Sequence, residues 1–289
     1  RQDLDSLRAS AARRGFRAVP LGVGVEGEVR QTIDRKASPN VIGMLQGVNS
    51  RQGVVYTAHY DHLGIRETKD GRDRIYNGAR DNASGVAGIL SVAQAFTRTT
   101  AQPGRSVYFL ATTAEESGLL GATHFAQHPP IPIDQIAANI NVDELNVWGR
   151  TTDIVLLGSE RSRLGPVAAE LARARNRRLG TDPSPERGSF FRSDHFPLAK
   201  AGVPALSISD PVEYIGKDAA FAKKVHDEYN DKLYHQPGDE YNVNWDFTGA
   251  VEDMRLLAEL GWQIAAAPAM PAYNKGDQFA RPREKRTKD

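Results

Sequence analysis

A chain of 289 residues can hold one large domain or two small ones. With 40% hydrophobic and 25% charged residues it has the composition of an ordinary globular protein. A formal net charge of +1 supplies no strong field towards nucleic acid or membrane, no run reaches the ~18 apolar residues of a membrane helix, and the lack of cysteine excludes thiol chemistry, thiolate metal sites and disulfides.

The chain begins at Arg1 without a signal peptide and is expected to be a mature or trimmed piece of a longer precursor. Residues 1–39 are polar and read as an extension or the remnant of an upstream domain, with a short helix near 4–14. NVIGMLQG (40–47) and GVVYTAHY (53–60) predict adjacent strands joined by a turn at 49–52. The charged, Gly-containing stretch 65–80 predicts a loop. NASGVAGILSVAQAFTRT (82–99) has helical apolar spacing behind an Asp/Asn pair. RSVYFLATT (105–113) predicts a buried strand, and EESGLLGATHFAQH (115–128) a helix stopped by two prolines. Strands follow at 136–146, 153–159 and 202–209, with a helix at 164–178 between the last two and a long closing helix at 247–267. Residues 40–270 then form the main domain, and 271–289 a basic, disordered tail.

Strands alternating with helices imply an α/β fold: a three-layer α/β/α sandwich around a mostly parallel, mixed sheet. Ligands in such sheets bind beyond the carboxyl ends of the strands, and titratable residues cluster there. His59 and Asp61 end one predicted strand, Asp81 precedes a helix, Glu115 and Glu116 follow YFLATTA, and Asp143 and Glu144 follow ANINV. Singly, each has an ordinary explanation as a cap, a helix-dipole acid or a turn residue. Together they would crowd four or more carboxylates on one rim, a repulsion that a bound cation removes. Imidazole with carboxylate and no sulfur suits zinc, with cobalt or manganese as substitutes, over calcium. On a strand His59 and Asp61 share a face, so Asp61 can orient the His59 ring. His235, in the Pro/Gly loop LYHQPGDEY, is the best second histidine. His62 reads as a loop residue, His124 and His128 as surface positions on a helix, His226 as part of a charged helix, and His195 as a weaker rival to His235.

HYDHLG, GARDNASG, ATTAEESGLLGA, INVDELN, FRSDHFPLAKAGVPA and LYHQPGDEY occur in this order, and the set resembles the co-catalytic di-zinc exopeptidases of peptidase clan MH, which include bacterial aminopeptidases and relatives of glutamate carboxypeptidase. The resemblance spans about 40–262 and implies their phosphorylase/hydrolase-like fold. It implies one zinc on His59 and Asp143, a second on Glu116 and His235, and Asp81 bridging both, followed by a peptide bond that is often cis. It also implies Glu115 as general base, Asp61 as the acid behind the ligands, Tyr234 as an oxyanion donor and Arg192 near the substrate's carbonyl or terminal group. Two metals about 3.5–4 Å apart would share a water whose proton Glu115 takes. The aromatic-rich loops with Phe191 and Tyr214 are expected to meet the substrate.

An aminopeptidase acting on peptides is the leading expectation, with zinc as cofactor and no nucleic-acid partner. A carboxypeptidase or dipeptidase would need a basic pocket, to which Arg192, Arg66, Arg72 or Arg74 could contribute. A glutaminyl cyclase-like acyltransferase would use one zinc, and a non-catalytic ectodomain would have lost ligands. The resemblance further implies secretion or a periplasmic location.

Overall fold

A computed structural model describes residues 3–67, 71 and 73–280. The chain divides into two compact units, Arg1–Ala37 and Ser38–Asp289. In the first, α1 (Leu4–Ala11) is capped by Asp3, whose carboxylate accepts the backbone N–H groups of Asp5 and Ser6. Its helix buries no residue of its own.

The second unit is built on β1 (Val41–Leu45), β2 (Asn49–His59), the short pair β3 (Gly64–Ile65) and β4 (Ile75–Tyr76), α2 (Gly85–Thr97), β5 (Arg105–Thr112), α3 (Leu120–Gln127), β6 (Ile136–Asn141), β7 (Asp153–Leu157), α4 (Leu164–Arg173), β8 (Arg178–Gly180), α5 (His195–Lys200), β9 (Ala205–Ser209), α6 (Phe221–Lys232) and α7 (Thr248–Ala266). Seven strands form one sheet in the order β1-β5-β2-β6-β9-β7-β8. Pairs β5/β2, β2/β6, β6/β9 and β7/β8 are parallel, while β1/β5 and β9/β7 are antiparallel. The sheet is therefore mixed and mostly parallel.

Alternation along β2 explains the layers. Val54, Tyr56 and Ala58 face a core completed by α2, α4 and α7, whereas Val55 faces a second core with α3 and Leu198 of α5. With both faces covered, Val54 to His59 reads as a continuous buried run.

Three differences from the sequence reading have clear causes. The expected turn at 49–52 lies inside β2, and β1 and β2 are not neighbours: β5 lies between them, pairing antiparallel with β1 and parallel with β2. Sequence proximity favours a hairpin, but β1 completes the sheet's edge on β5 instead. The helix expected from Glu115 starts only at Leu120, because Ala114 and Leu119 adopt left-handed backbone and hold Glu115 and Glu116 in a tight turn. Asn274 to Ala280, expected within a disordered tail, are tied down: Asn274 bonds Arg161 through its backbone, and Phe279 is buried against Phe190. Residues 281–289 of that expected tail lie outside the described residues.

Candidate metal centre

Strands β5, β2 and β6 are adjacent and parallel, so their carboxyl ends open on one edge. β2 ends on His59, β5 runs into the turn carrying Glu115 and Glu116, and Asp143 lies one residue, Val142, beyond the end of β6. Ala79–Ser84, an irregular helical turn leading into α2, contributes Asp81, and the Asp81–Asn82 peptide bond is cis.

His59 Nε2 lies 3.1 Å from Asp81 Oδ1 and 3.2 Å from Asp143 Oδ1. Its Nδ1 is 3.1 Å from the Asp61 carbonyl oxygen. A carbonyl only accepts, so Nδ1 carries the proton, and a neutral ring aims the lone pair of Nε2 at two carboxylates. That arrangement requires either an imidazolium or a cation. Without a cation, the imidazolium prevails: burial opposes the charge, but Asp143 and Asp81 outweigh it and raise the His59 pKa well above its ordinary value.

Asp81 is shared. Its Oδ2 lies 3.3 Å from His235 Nε2, which is also 3.0 Å from Glu116 Oε2. Burial alone would raise the Asp81 pKa, yet the His235 and His59 hydrogen bonds hold it well below the usual carboxylate range. Two triads offer donor atoms within 4.8 Å of one another: His59, Asp81 and Asp143, and His62, Asp81 and Glu116. Three carboxylates and the imidazoles, with no sulfur, are a donor set suited to zinc. Buried Glu116 Oε1 and both ring nitrogens of His62 have no hydrogen-bond partner, as expected of donors shaped for a cation. The residues present thus fit a pair of divalent metals around Asp81.

The centre is held from behind by Asp61, as expected, and by Ser193, Asn141, Asp239 and Arg80, which sequence patterns did not single out. Beyond the end of β2, the Asp61 carboxylate accepts the N–H groups of Glu115 and Glu116, at 3.1 and 3.4 Å, and so fixes their turn. It is the Asp61 carbonyl, not the carboxylate 3.9 Å away, that meets the His59 ring closely. Ser193 donates to Asp143 Oδ2 at 2.6 Å and accepts from Asn141, whose amide oxygen takes the Thr57 hydroxyl. Asp239 is 1% exposed and accepts the N–H groups of Arg80 and Asp81 together with the Tyr229 hydroxyl. It therefore ties the loop bearing His235 to the turn bearing Asp81. Arg80, fully buried between Trp148 and Tyr229, pairs with Glu144 and Asp210 and donates to the Leu145 carbonyl. A guanidinium buried this completely is stable only because both acids and both rings surround it.

Glu115 lines a cavity of about 440 Å³ with Glu116, Phe191, Arg192, Tyr234 and His235. Burial first, and then the nearby Asp143 charge, push its carboxyl up to about 9. The Tyr234 ring stacks on His235 at 3.9 Å between centroids, and burial raises its phenol pKa. A second cavity of about 600 Å³ is lined by Asp143, Arg192 and Tyr234 among others, and shares Arg192 and Tyr234 with the first. Of the residues expected to meet substrate, Phe191 and Arg192 line the cavity beside Glu115, whereas Tyr214 lines neither of these two cavities. It is buried, and its hydroxyl is 3.3 Å from Asn146 Oδ1 and from His226 Nε2, so aromatic richness there reflects packing. His195 is also buried, in edge contact with Phe190, and belongs to neither triad. His62, read from sequence as a loop residue, sits in the second triad. Its only signal was its place three residues after His59.

The model of peptidase family M28 matches residues 40–258. The chain belongs to peptidase family M28. Leupeptin-inactivating enzyme 1 of Streptomyces exfoliatus is 26% identical over 203 residues, covering 67% of this chain and 43% of that protein. Leucine aminopeptidase 2 of Trichophyton rubrum is 25% identical over 272 residues, covering 88% of this chain and 51% of that one. The chain thus spans about half the length, or less, of these curated relatives. A crystal structure of a zinc aminopeptidase from Bacillus subtilis superposes with a TM-score of 0.58 at 21% identity, covering 80% of this chain and 51% of that chain, and shares the M28 fold. Among the described residues, no helix is long and apolar enough to cross a membrane.

Proposed function

We propose that this chain is the catalytic part of a di-zinc aminopeptidase. One observation carries the reading: Asp81 stands between two sets of metal donors, with Glu115 at the wall of the adjoining cavity. The aminopeptidases among the M28 relatives support the choice of reaction. Bound metals supply Lewis-acid polarisation of the scissile carbonyl and lower the pKa of an attacking water. Asp61 holds the Glu115 backbone, so that its carboxylate stays at the cavity wall. With the charge of the neighbouring carboxylates offset by bound metals, the repulsion that holds its proton is relieved, and it would be ionised there, take the water's proton and return it to the departing amine. The Tyr234 hydroxyl, kept protonated by its raised pKa, donates to the developing oxyanion. Acid left over on the rim attracts the substrate's free α-amine.

A carboxypeptidase or dipeptidase is the second reading. Arg187 and Arg192 line the cavity of about 600 Å³, and neither has an ion pair among the described residues, so a substrate carboxylate could meet them. A leucyl p-nitroanilide, its N-acetyl form and N-blocked dipeptides separate the readings. The aminopeptidase predicts release only from the free amine, abolished by chelator and restored by two equivalents of zinc. Glu115→Gln should retain both zincs and lose about 10²–10⁴-fold in kcat. Cleavage of blocked dipeptides in place of the amide would establish the second reading, and full activity in Glu115→Gln would refute the assigned base. Secretion or a periplasmic location is proposed from the family resemblance, and cell fractionation tests it.

A further inference from the structure

We propose that His62 is a ligand of the second metal, joining Glu116, Asp81 and His235, so that the two metal positions differ in imidazole content. The inference rests on the di-metal reading above and adds a donor that the family resemblance did not include.

Four observations carry it. First, the His62 side chain is 7% exposed and buried against Glu116, with Nδ1 2.7 Å from Glu116 Oε1. Second, that contact is not a hydrogen bond: both His62 nitrogens and Glu116 Oε1 lack any hydrogen-bond partner. Burying three polar atoms without partners is costly, whereas donors whose lone pairs converge on a cation are satisfied when it binds. Third, His62, Asp81 and Glu116 present donor atoms within 4.8 Å of one another, and the His62 and His235 rings meet edge to face at 5.6 Å. Both imidazoles therefore border the same carboxylate. Fourth, the backbone makes room for this ring. Gly78 has φ +62°, and a Cβ there would lie 2.7 Å from His62 Cγ.

The first position then has one imidazole, His59, with Asp81 and Asp143. The second has two, His62 and His235, with Asp81 and Glu116. Added imidazole favours zinc, cobalt and nickel over manganese and magnesium. The second position should fill first with zinc, and discriminate most strongly against manganese.

Two measurements test this on the full chain. Metal-free protein with ¹⁵N-labelled histidine is titrated with zinc and followed by NMR. The His62 nitrogen facing Glu116 should shift with the first equivalent, together with His235. Zinc and cobalt are also titrated against a chromogenic chelator, using wild type, His62→Ala, His62→Asn and the exposed control His124→Ala. The expected result is a tenfold or greater loss of affinity at one site in both His62 variants, a changed cobalt visible spectrum, and no change in His124→Ala. Two zincs bound with unchanged affinities and cobalt spectrum in the folded His62 variants, or a His62 resonance indifferent to zinc, would overturn the proposal while leaving the di-metal reading intact. Failure of wild type to bind two zincs would overturn both. The NMR readout needs no substitution, so it decides even where a His62 variant does not fold.

Discussion

Asp239 gives the sharpest test of how the centre is assembled. Its buried carboxylate accepts Arg80 N–H at 3.1 and 3.2 Å, Asp81 N–H at 3.0 Å and the Tyr229 hydroxyl at 3.3 Å. Asp239→Asn preserves shape but replaces one acceptor with an NH₂ group that faces the donor of Arg80 or Asp81. The loss of one charge-assisted hydrogen bond costs about 1.5–3 kcal/mol. Asp239→Ala leaves two buried N–H groups and one hydroxyl unpaired, at ~1–3 kcal/mol each, so a loss of several kcal/mol is expected. Because the carboxylate joins the Asp81 turn to the His235 loop, zinc affinity should also fall about 10–100-fold, as for other groups that orient ligands. Urea denaturation of metal-free protein reads the first effect, and a zinc titration reads the second. If Asp239→Asn stays within about 0.5 kcal/mol of wild type and binds zinc as tightly, the carboxylate does not join these loops, and the reasoning fails.

Two further perturbations probe the scaffold. A Cβ at Gly261 would overlap the hydroxyl of Tyr56, which is fully buried and donates to the Leu257 carbonyl at 2.8 Å. Gly261→Ala should therefore destabilise by ~1–3 kcal/mol through overpacking, despite a helix-propensity gain of about 1 kcal/mol, as read by urea denaturation. On α7, burial pushes the Asp253 carboxyl from 3.8 up to about 7, against the pull of Arg177 2.7 Å away. A carboxyl with a raised folded pKa keeps a proton that the unfolded chain releases. Its contribution is complete below about pH 4 and is lost as the pH rises through about 7. Denaturation of wild type and Asp253→Asn across pH 4–8 should show a steeper decline with pH in wild type; parallel curves would refute it.

The local patterns carried a great deal. Apolar and β-branched runs at 53–60 and 105–113 mark buried strands, because a sheet covered on both faces asks for largely apolar residues. Acids and imidazoles at the ends of those runs mark one edge, because parallel neighbours place their carboxyl ends together. His59, Asp81, Glu116, Asp143 and His235 do converge. Aromatic composition misled at Tyr214, since an aromatic ring packs as readily behind a wall as in a cleft.

The sequence by itself determined the alternation of strands and helices, the donor chemistry, and which strand ends carry it, since these depend on side-chain type and short-range periodicity. Only the tertiary structure decided that β5 separates β1 from β2, that Asp239 links two ligand loops 158 residues apart, and that His62 turns inward over Gly78. Those outcomes depend on long-range pairing and on the space one backbone leaves for a distant ring, and no local pattern encodes either.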